Sequence, residues 1–112
     1  MKKDIFKIET YIPEFCLEPV MKELNDAGVL SLDGLYDYCL SVTKVTGYWR
    51  PLQGSSPFIG GVGEVSREPE LKIEFCCLCG LVDEAVEAIR RVHPYESPVI
   101  TAIPALMKGG KR

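Results

Sequence analysis

The chain has 112 residues, close to the commonest size for one globular domain, and 46% of them are apolar against 26% charged. That balance supports an ordinary buried core and excludes a disordered chain. No apolar run approaches the ~20 residues that span a bilayer, so no membrane contact is expected. Thirteen Lys and Arg face sixteen Asp and Glu, for a net charge of −3. Three of the thirteen, Lys108, Lys111 and Arg112, fall in the last five positions, so residues 1–107 hold ten basic against sixteen acidic groups, or −6. A body of that sign repels phosphate, which excludes general nucleic-acid binding.

The start, Met1-Lys2-Lys3-Asp4-Ile5-Phe6-Lys7-Ile8-Glu9, is too charged for a secretory leader. A cytoplasmic protein is the expectation. Five cysteines (Cys16, Cys39, Cys76, Cys77 and Cys79) are an odd count, which argues for free thiols instead of a disulfide framework. The expected organisation is one domain over 1–107 and a disordered basic tail over 108–112.

In chain order, apolar alternation at 6, 8, 10 and 12 predicts a strand with one buried face. The stripe 17, 20, 21, 24 and 27 predicts a helix, with Pro19 in its first turn and Gly28 as its stop. Leu35 to Val45 is rich in aromatic and β-branched residues and predicts a second strand. Residues 46–69 are longer than a simple hairpin needs. They hold five of the ten glycines yet also Tyr48, Trp49, Leu52, Phe58, Ile59 and Val62, the mark of a functional or packed segment. An extra β-hairpin is expected over 46–63.

The first pattern then recurs at an offset of 65. Lys7-Ile8-Glu9 returns as Lys72-Ile73-Glu74, Val20 meets Ala85, and Leu24 meets Ile89. The second copy predicts a strand through Phe75 and a helix that opens with Asp83 and Glu84, closes with Arg90 and Arg91, and stops at Pro94. Glu18 with Lys22, and Glu87 with Arg91, are spaced as i,i+4 ion pairs. Val99 to Ile103 predicts a last strand. The order is βαββαβ, an α+β ferredoxin-like fold: a four-stranded antiparallel sheet with two helices on one face.

Three clusters bear on chemistry. Cys76-Cys77-Leu78-Cys79 invites a soft-metal site, but strand alternation sends Cys76 to the face opposite Cys77 and Cys79, so three thiolates would not converge. The plainer reading has Cys77 in the core and Cys79 leading into the helix. Gly60-Gly61-Val62-Gly63 lacks the Lys-Ser/Thr of a phosphate loop and reads as turn chemistry. Trp49 and Arg50 read as an interface anchor more than a stacking platform for a base. His93, the one histidine, has three readings open: a cap on free helix carbonyls, a polar group in a ligand pocket, or a base partnered with Cys39.

Two stretches carry a family resemblance. The first runs Gly34-Leu35-Tyr36-Asp37-Tyr38-Cys39, then Thr46-Gly47-Tyr48-Trp49-Arg50-Pro51-Leu52-Gln53-Gly54, to Pro57-Phe58-Ile59-Gly60. The second is His93-Pro94-Tyr95-Glu96-Ser97-Pro98. Together they resemble the PII-like insert domain of the Nif-three-like proteins, the GTP cyclohydrolase I type 2 homologues, over about residues 4–107. The second stretch also resembles the end of CutA, the trimeric ferredoxin-like protein linked to divalent-cation tolerance. The resemblance implies a stand-alone copy of that insert domain and a homo-oligomer, a trimer first. It implies no catalysis, because the family's metal ligands lie in the flanking domain. The expected function is a small regulatory or ligand-sensing module without a cofactor. The alternative is a CutA-like protein that binds a divalent metal through His93 and Glu96. A small, partly polar pocket is expected near the second motif, with His93 and Glu96 as polar groups, Tyr95 as a wall, and Tyr36 and Cys39 approaching from this or a neighbouring chain.

Overall fold

The structure is a computed structural model and describes residues 4–110. The basic tail expected over 108–112 therefore falls partly outside the described residues. Strand β1 spans Asp4–Ile12, and a 3₁₀ turn at Glu14–Cys16 leads into helix α1, Leu17–Asp26. Strands β2 (Ser41–Trp49) and β3 (Ser66–Leu78) follow. A second 3₁₀ turn at Cys79–Leu81 leads into helix α2, Val82–Val92, and strand β4 spans Ile100–Leu106. The repeat read from the sequence is structural. The two 3₁₀ turns and the two helix starts sit at the same offset of 65.

All pairings are antiparallel, in the order β2-β3-β1-β4. With both helices on one face, this is the ferredoxin-like α+β architecture. Alternation places Ile8, Thr10 and Ile12 of β1 and Leu71, Ile73, Phe75 and Cys77 of β3 in the core. They meet Val20 and Leu24 of α1 and Ala85, Ala88 and Ile89 of α2. The opposite face carries a charge ladder in place of a cover. Lys7 Nζ lies 2.8 Å from Glu74, and Lys72 Nζ lies 3.6 Å from Glu74 and 3.7 Å from Glu9. Two of these pairs join β1 to β3, and such cross-strand pairs let a sheet face meet water.

Gly28 ends α1 as expected. Its φ is +76°, and the N–H groups of Gly28 and Val29 reach back to the carbonyls of Asn25 and Leu24 (3.0 and 3.1 Å). That is the Schellman arrangement, which only a residue tolerant of left-handed φ closes cheaply. Pro94 forces His93 into the extended region (φ −76°, ψ 124°), so α2 stops there.

Two local expectations are corrected. Strand β2 begins at Ser41, not Leu35. Over 31–40 the side chains capture the backbone: Ser31 Oγ accepts the Gly34 N–H, Asp33 Oδ1 the Leu35 N–H, and Asn25 Oδ1 the Tyr38 N–H, with Tyr38 at φ +54°. Short polar side chains that bind backbone groups compete directly with strand pairing. The helical ion pairs also differ. Lys22 reaches forward to Asp26 (2.6 Å), and Arg91 crosses to Glu23 of α1 (3.2 Å), because the two helices lie side by side.

The extra hairpin takes the form of an overhang. β1 ends at Ile12, opposite Leu71, but β2 and β3 pair onward until Trp49 meets Ser66. Residues 50–65 close the far end. The overhang draws the molecule out to 52 × 23 × 23 Å.

Candidate ligand site

The site lies where β1 stops and the β2–β3 overhang continues. The turn between α2 and β4, residues 93–99, reaches the same end of the sheet, because α2 runs antiparallel to β3 and finishes beside the end of β1. His93 anchors this turn. It is 8% exposed, and its Nε2 lies 2.7 Å from the Tyr11 carbonyl oxygen, while its Nδ1 accepts the Tyr95 N–H at 3.3 Å. These partners assign the proton to Nε2. Burial holds the imidazole below its usual pKa, against the opposing pull of the Tyr11 carbonyl. The ring therefore caps a strand carbonyl of β1, not the carbonyls of its own helix. Both nitrogens are engaged.

Tyr95 stands in front of His93, with ring centroids 4.7 Å apart. It also packs against Trp49 (5.6 Å) and Phe58 (6.3 Å). Its hydroxyl donates to Glu70 Oε2 at 2.9 Å. Burial, then the Glu70 carboxylate, pushes the phenol far above its ordinary pKa, so it remains a donor. Glu70 is only 6% exposed although it sits on a strand. Space for its carboxylate comes from Gly47, where a Cβ would fall on the Glu70 side chain.

The loop after β2 folds back over these groups. Trp49 Nε1–H donates to the Ile59 carbonyl at 3.2 Å. Glu96 accepts the Ser56 N–H at 2.6 Å and so ties the loop to the 93–99 turn. Phe58 rests on Phe15 beside α1 (6.2 Å). A cavity of about 510 Å³ remains, lined among others by Tyr11, Trp49, Arg50, Phe58, Glu70, Tyr95 and Glu96.

Of the residues named from the sequence, Tyr95 and Glu96 line this cavity. His93 lies behind Tyr95 and does not. Tyr36 and Cys39 are exposed in the 31–40 segment, away from the cavity of their own chain. Cys39 is bound there by its N–H to the Leu30 carbonyl at 3.1 Å. Trp49 and Arg50 both line the cavity, where an interface role had been expected. Phe58 was among the apolar residues that marked 46–69 as functional or packed, whereas Glu70 and Tyr11 had no signal of their own. Glu70 in particular reads as one more strand carboxylate until the overhang and Gly47 enclose it. Among the described residues no three His, Cys, Asp or Glu side chains are grouped to hold a metal ion, the cysteine cluster included. Cys77 is in the core, Cys76 is half-buried, and Cys79 is exposed.

No family model matches the chain. Among curated proteins it is 33% identical over 98 residues to the GTP cyclohydrolase 1 type 2 homolog of Staphylococcus aureus, covering 88% of this chain and 26% of that protein. Among solved structures it matches a Bacillus cereus protein related to NIF3 with a TM-score of 0.79 at 27% identity, covering 94% of this chain and 26% of the other. The periplasmic divalent cation tolerance protein CutA from Archaeoglobus fulgidus shares the fold, with a TM-score of 0.68 at 16% identity, over 96% of this chain and 88% of that one. The chain spans about a quarter of the length of the curated relatives it matches. It matches the family of NIF3-related GTP cyclohydrolase 1 type 2 homologs over that segment and has the ferredoxin-like fold of the CutA proteins.

Proposed function

We propose that this chain acts by binding, not by catalysis, as an oligomeric CutA-like module whose ligand occupies the cavity between Trp49, Phe58 and Tyr95. The observation that carries this reading is the cavity itself. It is about 510 Å³, walled by aromatic rings, and furnished with a few polar groups that converge on it. That combination is the usual form of a small-molecule site. The module is cytoplasmic in this reading and assembles as a trimer. Assembly is supported by the two sheet edges, β2 and β4, and by Tyr48, Leu52, Val62 and Val65, all exposed on the overhang and its loop.

A second reading makes the ligand a divalent cation. Kinship in fold with proteins named for divalent cation tolerance supports it more directly than any comparison supports effector sensing. The carboxylates of Glu70 and Glu96 would be its donors here. His93 would have to give up the Tyr11 carbonyl or the Tyr95 N–H to join them. Titration of the purified protein with Mg²⁺, Zn²⁺ and Cu²⁺ separates the two readings. Saturable binding at one site per chain, lost in Glu96→Gln, supports the cation reading. Binding that leaves the Trp49 environment unchanged removes the cavity from it.

A further inference from the structure

Resting on the reading of the cavity as a ligand site, we propose that its ligand is an organic cation, an ammonium group carried on a small apolar or aromatic body. Glu70 carries the argument. It is 6% exposed, and the Tyr95 hydroxyl occupies only its Oε2. Among the described residues nothing donates a hydrogen bond to Oε1, and Glu70 forms no ion pair. Oε1 is not a sealed atom, so its open side is the cavity, and a carboxylate largely removed from water without a counter-charge gains when a cation arrives there. Glu70 lines the cavity, so the missing counter-charge can come from there.

The walls agree with the floor. Trp49 and Phe58 flank Tyr95 with centroids at 5.6 and 6.3 Å. Aromatic faces are electron-rich and attract a cation most strongly when both are out of water. Glu96 adds a second carboxylate at the rim, held by the Ser56 N–H.

Other ligand classes fit less well. An anion would face Glu70 and Glu96, with only Arg50 in its favour, and Arg50 is exposed. A hard divalent ion needs six or more oxygen donors, whereas aromatic faces supply none. A neutral apolar molecule would leave the Glu70 charge uncompensated.

The test uses three probes with the same ring: benzylammonium, benzyl alcohol and benzoate, with Mg²⁺ as a fourth. Trp49 is the single tryptophan, so its fluorescence reports this site alone. The expected result is saturable binding of benzylammonium, tighter than benzyl alcohol by roughly ten-fold or more. Glu70→Gln should weaken the cation by a similar factor while the melting temperature holds, because the amide oxygen can still accept from Tyr95. Should Glu70→Gln fail to fold, Phe58→Leu decides. Phe58 is half-exposed on the loop, and its loss should weaken benzylammonium several-fold. Equal or tighter binding of the alcohol or of benzoate overturns the organic-cation assignment but leaves the cavity a site. So does saturation by Mg²⁺ without a response to benzylammonium. Cation affinity unchanged in both variants also overturns the assignment. Failure of all four probes to perturb Trp49 removes the ligand-site reading as well.

Discussion

His93 shows how much one side chain can organise. Its ring joins the end of β1, through the Tyr11 carbonyl, to the turn that carries Tyr95. Its folded pKa lies below the ordinary 6.5 because the neutral form is the one that suits burial. An unfolded chain therefore takes up a proton first as the pH falls. The stability contributed by neutral His93 is full above about pH 6.5 and is lost as the pH drops below that towards the folded value. His93→Gln should remove this slope in chemical denaturation measured from pH 7.5 down to 5. His93→Ala should lose about 1–3 kcal/mol at neutral pH, since the Tyr11 carbonyl is left without its donor. The thiols offer a second check. Burial pushes the Cys77 thiol up to about 11 and raises Cys16 as well. Thiolate is the reactive form. Mass spectrometry after brief alkylation of native protein should find Cys39 and Cys79 labelled, with Cys16 and Cys77 modified only on unfolding. Rapid labelling of all five would refute the placement of β3.

At the scale of elements, the overhang of β2 and β3 creates the site. Were the hairpin to stop level with β1, Trp49 and Glu70 would have no place beside Tyr95. Gly47 is the tightest point of that construction. Its role is the absence of a side chain, since a Cβ would displace the Glu70 carboxylate and with it the Tyr95 hydrogen bond. Gly47→Ala should cost about 1–3 kcal/mol by overpacking, and Trp49 emission should shift with it. An unchanged spectrum and melting curve would show that Glu70 has room elsewhere. The helices are held by their apolar faces. Leu24→Ala, at a fully buried position, should cost about 2–5 kcal/mol in urea unfolding. Arg91→Ala breaks only the half-exposed pair with Glu23 and should cost less than about 1 kcal/mol.

For the whole molecule, the questions are assembly and activity. If assembly follows the CutA relatives in fold, multi-angle light scattering at micromolar concentration will give three times the chain mass. A monomer would remove that proposal. If the chain binds without catalysing, homogeneous protein will not turn over GTP with or without added Mg²⁺, Mn²⁺ or Zn²⁺. Metal-dependent turnover would refute the non-catalytic reading. Light scattering and GTP assays are independent of the cavity.

The periodicities at 6–12 and 71–77, the two helical stripes, Gly28 and Pro94 determined the elements and their order, because apolar period and backbone punctuation act locally. The offset of 65 determined that two similar units would pack as one sheet. The start of β2 was not legible, since Ser31, Asp33 and Asn25 compete for backbone groups through contacts that depend on where α1 ends. Nor were the partners of Lys22 and Arg91, which depend on how the helices lie. At the candidate site, Tyr95 and Glu96 were legible from their motif and Phe58 as part of an unusually apolar loop, but Glu70 was not, nor was the face Phe58 would wall. A carboxylate becomes buried, and a loop ring becomes a wall, only when segments some 25 to 50 positions apart in the chain close on each other. The tertiary structure alone decided that the end of a hairpin reaching past β1, a turn after α2 and a glycine-rich loop would enclose one space.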